Sequence, residues 1–214
     1  GALARLLPEL ERLFGVPQRA EFHPEVDTGV HTLMVVDAAA RRGYSLPVRF
    51  AALVHDLGKG TTPAALLPRH HGHEARSVDL VGELCRRLRV PNDCRDLALL
   101  AARWHGDIHR GGVLRAATLV RLLEQTDALR RPERFSELLQ VCQCDFVGRL
   151  GQEDADYRVP ERFRLALAAV RGVDAGAVAR RCADPAQIPE RLHQARVHAV
   201  ARALEETGDE QQEQ

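Results

Sequence analysis

Hydrophobic residues recur every three or four positions through nearly every long segment, and this spacing constrains the fold more than any other feature. Such a period places apolar side chains on one face of a helix, whereas a half-buried strand alternates at every second residue. The sequence contains no convincing strand, internal repeat or low-complexity tract. It therefore predicts an all-α protein, and 214 residues suffice for one domain or a domain with an appendage.

Prolines, glycines and capping residues mark where the helices should begin and end. A polar linker at 151–160 divides a predicted domain at 1–150 from a helical C-terminal extension at 151–214, whose polar tail from residue 208 is predicted to be disordered. The predicted helices span residues 3–14, 28–42, 47–56, 73–88, 91–105, 116–129, 133–150, 161–171, 175–182 and 189–206.

Charge and cysteine content exclude several classes of protein. The 30 basic and 30 acidic residues cancel, which argues against a surface devoted to nucleic-acid affinity, and 4% aromatic residues argue against broad base-stacking platforms. The five cysteines lack paired spacing, no signal peptide precedes the first helix, and no apolar run approaches membrane-spanning length. These features predict reduced thiols and a cytoplasmic location. The start without Met, inside a helical pattern, indicates a piece of a longer protein.

His55 and Asp56 stand together at the end of an apolar run and directly before a glycine turn. Burying an ionisable pair there is costly without a purpose, so the pair is either a structural ion pair or half of a divalent-metal site. His31 and Asp127 lie in apolar helical contexts that could supply the other half. The alternatives are that His31 is a core histidine and that Asp127 closes a helix.

Two imidazoles with two carboxylates form a mixed nitrogen and oxygen ligand set, which suits Mn, Fe, Ni, Co or Zn better than Mg. His73 and His105 are further candidates, since they lie at the start and the end of predicted helices. His70 and His71 are expected to be solvated loop residues. His23, His109, His193 and His198 have no partner in the sequence and are expected at the surface.

Lys59 is the single lysine among 30 basic residues, three positions after Asp56. A compact ammonium acts as a point charge that a planar guanidinium does not replace. Lys59 is therefore predicted to face a substrate phosphate, with chance survival as the alternative.

The order His31, His55-Asp56 and Asp127 resembles the HD superfamily of metal-dependent phosphohydrolases, which are all-α proteins. The resemblance implies an HD-domain helical bundle in which His31, His55, Asp56 and Asp127 bind the metal. It also implies that His73 and, on a weaker match, His105 contact the phosphate or a second metal, and with Lys59 these histidines are the predicted catalytic residues.

The likeness is closer to the C-terminal HD domain of bacterial multifunctional CCA-adding enzymes, which are tRNA nucleotidyltransferases. It rests on residues 22–34, 54–60, 67–73 and 88–92. It implies phosphodiesterase, 2′-nucleotidase and phosphatase activity on tRNA or RNA 3′ ends with 2′,3′-cyclic phosphates and on small phosphoesters, with nickel, manganese or cobalt. The magnesium-dependent transferase head has no matching motif here, so nucleotide addition is not expected.

Two other interpretations of the same residues stay open. In one, the helices form a module that binds tRNA or mediates homodimer formation, and the metal site is a relic. In the other, the domain is an HD nucleotidase that acts on free nucleotides.

Overall fold

This computed structural model describes residues 1–212, with side chains described to residue 207. Helices form all the long elements of that part of the chain. No strand occurs in that part, where β-structure is limited to one isolated bridge between Pro17 and Asp27. The all-α prediction is confirmed. The α-helices are α1 (Ala2–Leu6), α2 (Pro8–Glu11), α3 (Thr28–Arg41), α4 (Leu46–Val54), α5 (His73–Leu88), α6 (Asn92–His109), α7 (Ala116–Gln125), α8 (Pro132–Val147), α9 (Val159–Arg171), α10 (Ala175–Arg180) and α11 (Ile188–Gln212).

Short 3₁₀ turns connect several of these helices, at Leu57–Thr61, Ala64–Leu66, Arg110–Val113 and Pro185–Gln187. The starts of α3 and α4 are fixed by side-chain caps, because the Asp27 carboxylate accepts from the backbone N–H of Val30 and the Ser45 hydroxyl from that of Val48. Such caps satisfy N–H groups that have no partner inside the helix.

The chain forms two compact units, and each is built from separate stretches of sequence. Unit 1 comprises Gly1–His109 and Ser136–Tyr157, and unit 2 comprises Arg110–Phe135 and Arg158–Gln214. Residues 110–135, which the sequence assigns to the domain 1–150, therefore associate with the segment after residue 157. The prediction that 1–150 carries the hydrolase activity stays a prediction.

Unit 1 is organised around α4, which contacts α3 and α6, while α6 also contacts α5. Small buried side chains line α4 and α6, among them Ala51, Ala52, Ala98 and Ala101. Alanines let two helix backbones approach closely, and dense packing of this kind leaves little room for volume changes. This packing holds the end of α4 at a fixed position against α6.

Unit 2 is organised around α7, α9 and α11, which contact one another. Phe135 and Phe163 pack edge to face inside it, with ring centroids 5.8 Å apart. On α7, the Glu124 carboxylate accepts from Arg196 at 2.6 Å and from His193 at 3.0 Å, so His193 has a partner that the sequence does not reveal.

Three boundaries differ from the prediction for local reasons. Pro8 divides the first helix into α1 and α2, and α7 ends at Gln125 because Asp127 adopts a left-handed backbone with φ of 56°. The last helix continues to Gln212, across most of the tail predicted to be disordered, while residues 213 and 214 lie outside the described residues. No described helix combines the length and apolar character needed to cross a membrane.

Candidate metal centre

Three helices of unit 1 bring the central side chains together. His31 lies on α3, His55 and Asp56 follow α4, and Asp145 lies on α8. All four are buried, with at most 3% of each residue exposed. Next to α8, Gly148 lies so close to Val35 of α3 that an added Cβ would stand 2.9 Å from the Val35 Cα. This contact holds the end of α8 near the middle of α3.

Three of the imidazole rings are fixed in the same manner. His55, His73 and His105 each donate their Nδ1–H to a backbone carbonyl and turn Nε2 toward the Asp56 carboxylate. The acceptors are the carbonyls of Ala52 at 2.9 Å from His55, His70 at 2.8 Å from His73, and Ala101 at 2.9 Å from His105. A hydrogen bond of this kind selects the tautomer whose other nitrogen offers a lone pair to a metal.

The Nε2 atoms of these rings face carboxylate oxygens of Asp56. Nε2 of His73 and of His105 lie 3.3 and 3.4 Å from Oδ1 of Asp56, and Nε2 of His55 lies 3.3 Å from Oδ2. Among the described residues, Nε2 of His55 and Oδ1 of Asp56 are buried without a hydrogen-bond partner. Each of these contacts needs a cation between nitrogen and oxygen, which is either a proton on Nε2 or a metal ion, so this donor set fits a metal ion.

Asp145 completes a second side of the cluster. Its Oδ1 lies 2.9 Å from Nε2 of His31, and its Oδ2 lies 3.9 Å from Nε2 of His55. Overlapping sets of ligand atoms lie within 4.8 Å of one another. They are His31 with His55 and Asp56; His55 with His105 and Asp145; Asp56 with His73 and His105; and His23 with Glu25 and His31.

Electrostatic coupling in the cluster is strong. Burial has the largest single effect on the pKa of His55 and lowers it, but the charge and hydrogen bond of Asp56 together with the Asp145 charge raise that pKa overall to about 9. Burial likewise raises the pKa of Asp56, yet Lys59 and His55 hold it well below its usual range. Burial also raises the pKa of Asp145, but contacts with His109 and His31 hold it well below its usual range. Both carboxylates are therefore ionised, which favours a bound cation.

Two of the histidines, His31 and His23, also contact Glu25. His31 places Nδ1 2.8 Å from Oε1 of Glu25, at ion-pair distance but out of line for a hydrogen bond. His23 contacts the same carboxylate oxygen at 3.0 Å, and burial together with the Lys59 charge lowers the pKa of His23 to about 4. His23 is thus partly buried rather than at the surface.

His109 also differs from the surface position predicted for it. Its Nε2 lies 2.5 Å from Oδ2 of Asp145, and its Nδ1 lies 2.9 Å from the Tyr157 hydroxyl. Burial lowers the pKa of His109. Burial also raises the pKa of Tyr157, whose hydroxyl keeps its proton.

Lys59 is buried beside Asp56 rather than extended into solvent. Its ammonium lies 2.7 Å from Oδ2 of Asp56 and 2.7 Å from Oε1 of Gln18. Two of the three ammonium donors are occupied by these contacts. A contact with a substrate phosphate stays a prediction.

Asp127 is the one predicted ligand that the structure does not bring to the cluster. It belongs to unit 2, and its carboxylate lies 3.8–3.9 Å from the side chains of three arginines, Arg130, Arg131 and Arg134. Its left-handed backbone ends α7, which agrees with the alternative that it closes a helix.

Asp145 occupies the position that the sequence prediction gives to Asp127. A signal for it existed, because Asp145 lies on the helical face that also carries Leu138, Val141 and Cys142, all buried. A carboxylate within an apolar stripe requires a partner. The apolar stripe of α8 therefore indicates that Asp145 is buried beside a partner.

Comparisons with known proteins agree with this centre. The HD domain profile matches residues 28–145, just over half of the chain, and those limits contain His31, His55, Asp56 and Asp145. HD domains bind divalent metals. No solved structure matches the chain significantly.

Curated relatives carry the name "Multifunctional CCA protein". The chain is 63% identical to the one from Dechloromonas aromatica (strain RCB) over all 214 residues, or 52% of the relative. It is 65% identical to that of Burkholderia lata and 66% to that of Paraburkholderia phytofirmans, covering 96% and 95% of this chain and 50% of each relative. The chain thus spans about half the length of these relatives. On the profile match and the centre it encloses, the chain belongs to the HD domain family.

Proposed function

We propose that this chain is a metal-dependent phosphohydrolase domain whose ion is held by His31, His55, Asp56 and Asp145. The supporting observation is that backbone carbonyls fix three imidazole rings with Nε2 toward the buried Asp56 carboxylate, while Asp145 lies beside His31 and His55. A structural ion pair does not require three rings fixed in this way. A relic or pure binding module does not require it either.

The bound ion would supply Lewis acidity toward a phosphoryl oxygen and acidify a water molecule. His73 is the most exposed of the three carbonyl-anchored rings, with 15% of its side chain accessible. When both ring nitrogens carry a proton, Nε2 of His73 or His105 would donate one to the phosphoryl group or the leaving oxygen. The third donor of Lys59 would stabilise negative charge on the same group.

We propose 2′,3′-cyclic phosphates at RNA 3′ ends as the preferred substrates, and nickel, manganese or cobalt as the metal. The mixed nitrogen and oxygen donor set favours these ions over magnesium. The names of the relatives support tRNA as the RNA, with the domain acting in 3′-end repair within a longer CCA-adding protein. Small phosphoesters and 2′-nucleotides would be accepted at the same centre.

The decisive experiment compares three aspartates. We expect Asp145→Asn and Asp56→Asn to lose the metal and to lower turnover of a chromogenic phosphodiester by about 10²-fold or more, since each removes a ligand charge. Asp127→Asn, the matched control in unit 2, should retain both. Metal per chain is measured by elemental analysis, and circular dichroism checks that each variant stays helical.

The outcome also separates the rival functions. Wild-type metal content and turnover in Asp145→Asn, with loss in Asp127→Asn, would return the ligand assignment to Asp127. Metal binding without hydrolysis of any phosphoester would favour a binding module. Faster hydrolysis of free nucleotides than of RNA ending in a cyclic phosphate would favour a nucleotidase.

A further inference from the structure

A chain of hydrogen bonds connects Asp145 to a tyrosine outside the profile-matched residues. His109, the last residue of α6, lies between Oδ2 of Asp145 at 2.5 Å and the hydroxyl of Tyr157 at 2.9 Å. The HD domain profile ends at residue 145, so it does not include Tyr157. All three side chains belong to unit 1.

The direction of the hydrogen bonds follows from the donors present. Tyr157 has one hydroxyl proton, and Nδ1 of a singly protonated His109 ring accepts it. The ring must then carry its proton on Nε2, which donates to Oδ2 of Asp145. This leaves Oδ1 of Asp145, 2.9 Å from Nε2 of His31, on the side of the proposed metal.

The ring of Tyr157 is placed independently of its hydroxyl. It stacks on Phe146, with centroids 4.6 Å apart and planes 19° apart. Phe146 directly follows Asp145 on α8, so the stacking and the hydrogen bonds tie Tyr157 to the same turn of helix. Replacing Tyr157 by Phe would therefore remove the hydroxyl and keep the packing.

We propose that Tyr157 and His109 are positioning residues that fix which oxygen of Asp145 binds the metal. The proposal rests on the metal centre of the proposed function. His55, His73 and His105 are oriented by backbone carbonyls, whereas Asp145 is oriented through His109 by a side chain that follows α8. Partners of metal ligands that lie beyond the ligands typically change metal affinity by about 10–100-fold when removed.

The chain offers a matched control, because it has two tyrosines. Tyr44 also donates its hydroxyl to a side chain of α8, the Gln143 amide oxygen at 3.0 Å, but Gln143 belongs to none of the ligand sets. Tyr157→Phe and Tyr44→Phe each delete one hydroxyl from a part-buried hydrogen bond. Any general effect on α8 should therefore be common to both variants.

The experiment titrates Co²⁺ alone into the whole chain. We expect Tyr157→Phe to weaken Co²⁺ binding about 10-fold and to alter the visible spectrum of the bound ion, while Tyr44→Phe leaves affinity and spectrum unchanged. Both variants should show similar small decreases in melting temperature. His109→Gln, whose amide still donates to Asp145, should bind Co²⁺ more tightly than His109→Leu.

Each contrary outcome has a distinct meaning. If wild-type chain binds Co²⁺ and Tyr157→Phe binds it with the same affinity and spectrum, the positioning role is wrong while the metal centre stands. If His109→Leu matches wild type, the role is equally wrong. If wild-type chain binds no Co²⁺, the proposed function fails first and the positioning role fails with it.

Discussion

Lys59, the only lysine of the chain, is held between Asp56 and Gln18 with 7% of its surface exposed. An ammonium fits there because it is compact and its donors can point in different directions. A guanidinium is planar and larger, so it would displace one of its two neighbours. The bias toward arginine elsewhere in the chain is consistent with a local requirement at this residue.

We expect Lys59→Arg to lower phosphodiester turnover by about 10²-fold, because the charge is retained but moved from its position. Turnover is measured with metal content recorded for the same sample. Arg130→Lys, the reverse exchange on a side chain that is 84% exposed, is the control and should be silent. Near-normal turnover in Lys59→Arg would mean that the lone lysine survives by chance.

The residues of the centre differ in how far the sequence predicts them. His55 and Asp56 are adjacent, so their chemistry is visible in the sequence itself. Asp145 is separated from His31 by 114 positions, and only the contact between α3 and α8 brings them together. His109 was missed for the same reason, since its partner Tyr157 lies 48 positions further along the chain.

At the scale of elements, the start of α5 depends on a close approach to Gly58. A Cβ at Gly58 would lie 2.2 Å from the carbonyl oxygen of His73 and 2.6 Å from the amide nitrogen of Ser77. Gly58 also donates its N–H to the Ser77 hydroxyl at 2.9 Å. The glycine after the His55-Asp56 pair therefore sets where His73 stands.

We expect Gly58→Ala to reduce the free energy of unfolding by about 1–3 kcal/mol, because backbone atoms cannot yield to the new methyl group. It should also reduce metal content by displacing His73. Gly82→Ala, inside α5 itself with nothing within 4 Å of the new Cβ, should stabilise the chain by about 0.5–1 kcal/mol.

Urea denaturation of both glycine variants, followed by elemental analysis, checks this contrast. Equal stability changes in the two would show that Gly58 is not held by close contact. The helix pattern itself is well predicted by sequence, as α5 begins and ends at the predicted residues. Periodicity does not reveal which helix faces which, so the contact at Gly58 could not be predicted.

At the scale of the whole molecule, the loop before α5 contributes to pH-dependent stability. His70 donates from Nε2 to the carbonyl of Pro17 at 3.1 Å and accepts at Nδ1 from the Thr62 hydroxyl at 2.8 Å. It is thus an ordered connection between distant segments, whereas the sequence predicts a solvated loop residue. Burial, followed by the Lys59 charge, lowers the pKa of His70 to about 4.

The sign of the stability change follows from this lowered pKa. Unfolded chains bind a proton at His70 near its ordinary pKa of 6.5, while the folded chain does so only near pH 4. Stability from His70 is therefore complete above pH 6.5 and is lost as the pH falls toward 4. We expect the metal-free wild type to lose about 1 kcal/mol more than His70→Gln between pH 7 and pH 5.

Urea denaturation at both pH values measures the difference. The lowered pKa of His23 changes the free energy of unfolding with pH in the same way in both proteins, so its contribution cancels in the comparison. Parallel curves for the two proteins would show that His70 does not titrate below its ordinary range when folded.

Unit 1 is assembled from Gly1–His109 and Ser136–Tyr157, and this division determines when the centre can first exist during protein synthesis. Ribosomes make chains from the N-terminus at roughly 5–20 residues per second. A nascent chain that ends at His109 already carries His31, His55, Asp56 and the later imidazoles, but not Asp145. Residues 110–135, which belong to the other unit, must be made before the last ligand emerges, and Tyr157 follows later still. We therefore expect the proposed ligand set to bind its cation only late in the synthesis of the domain.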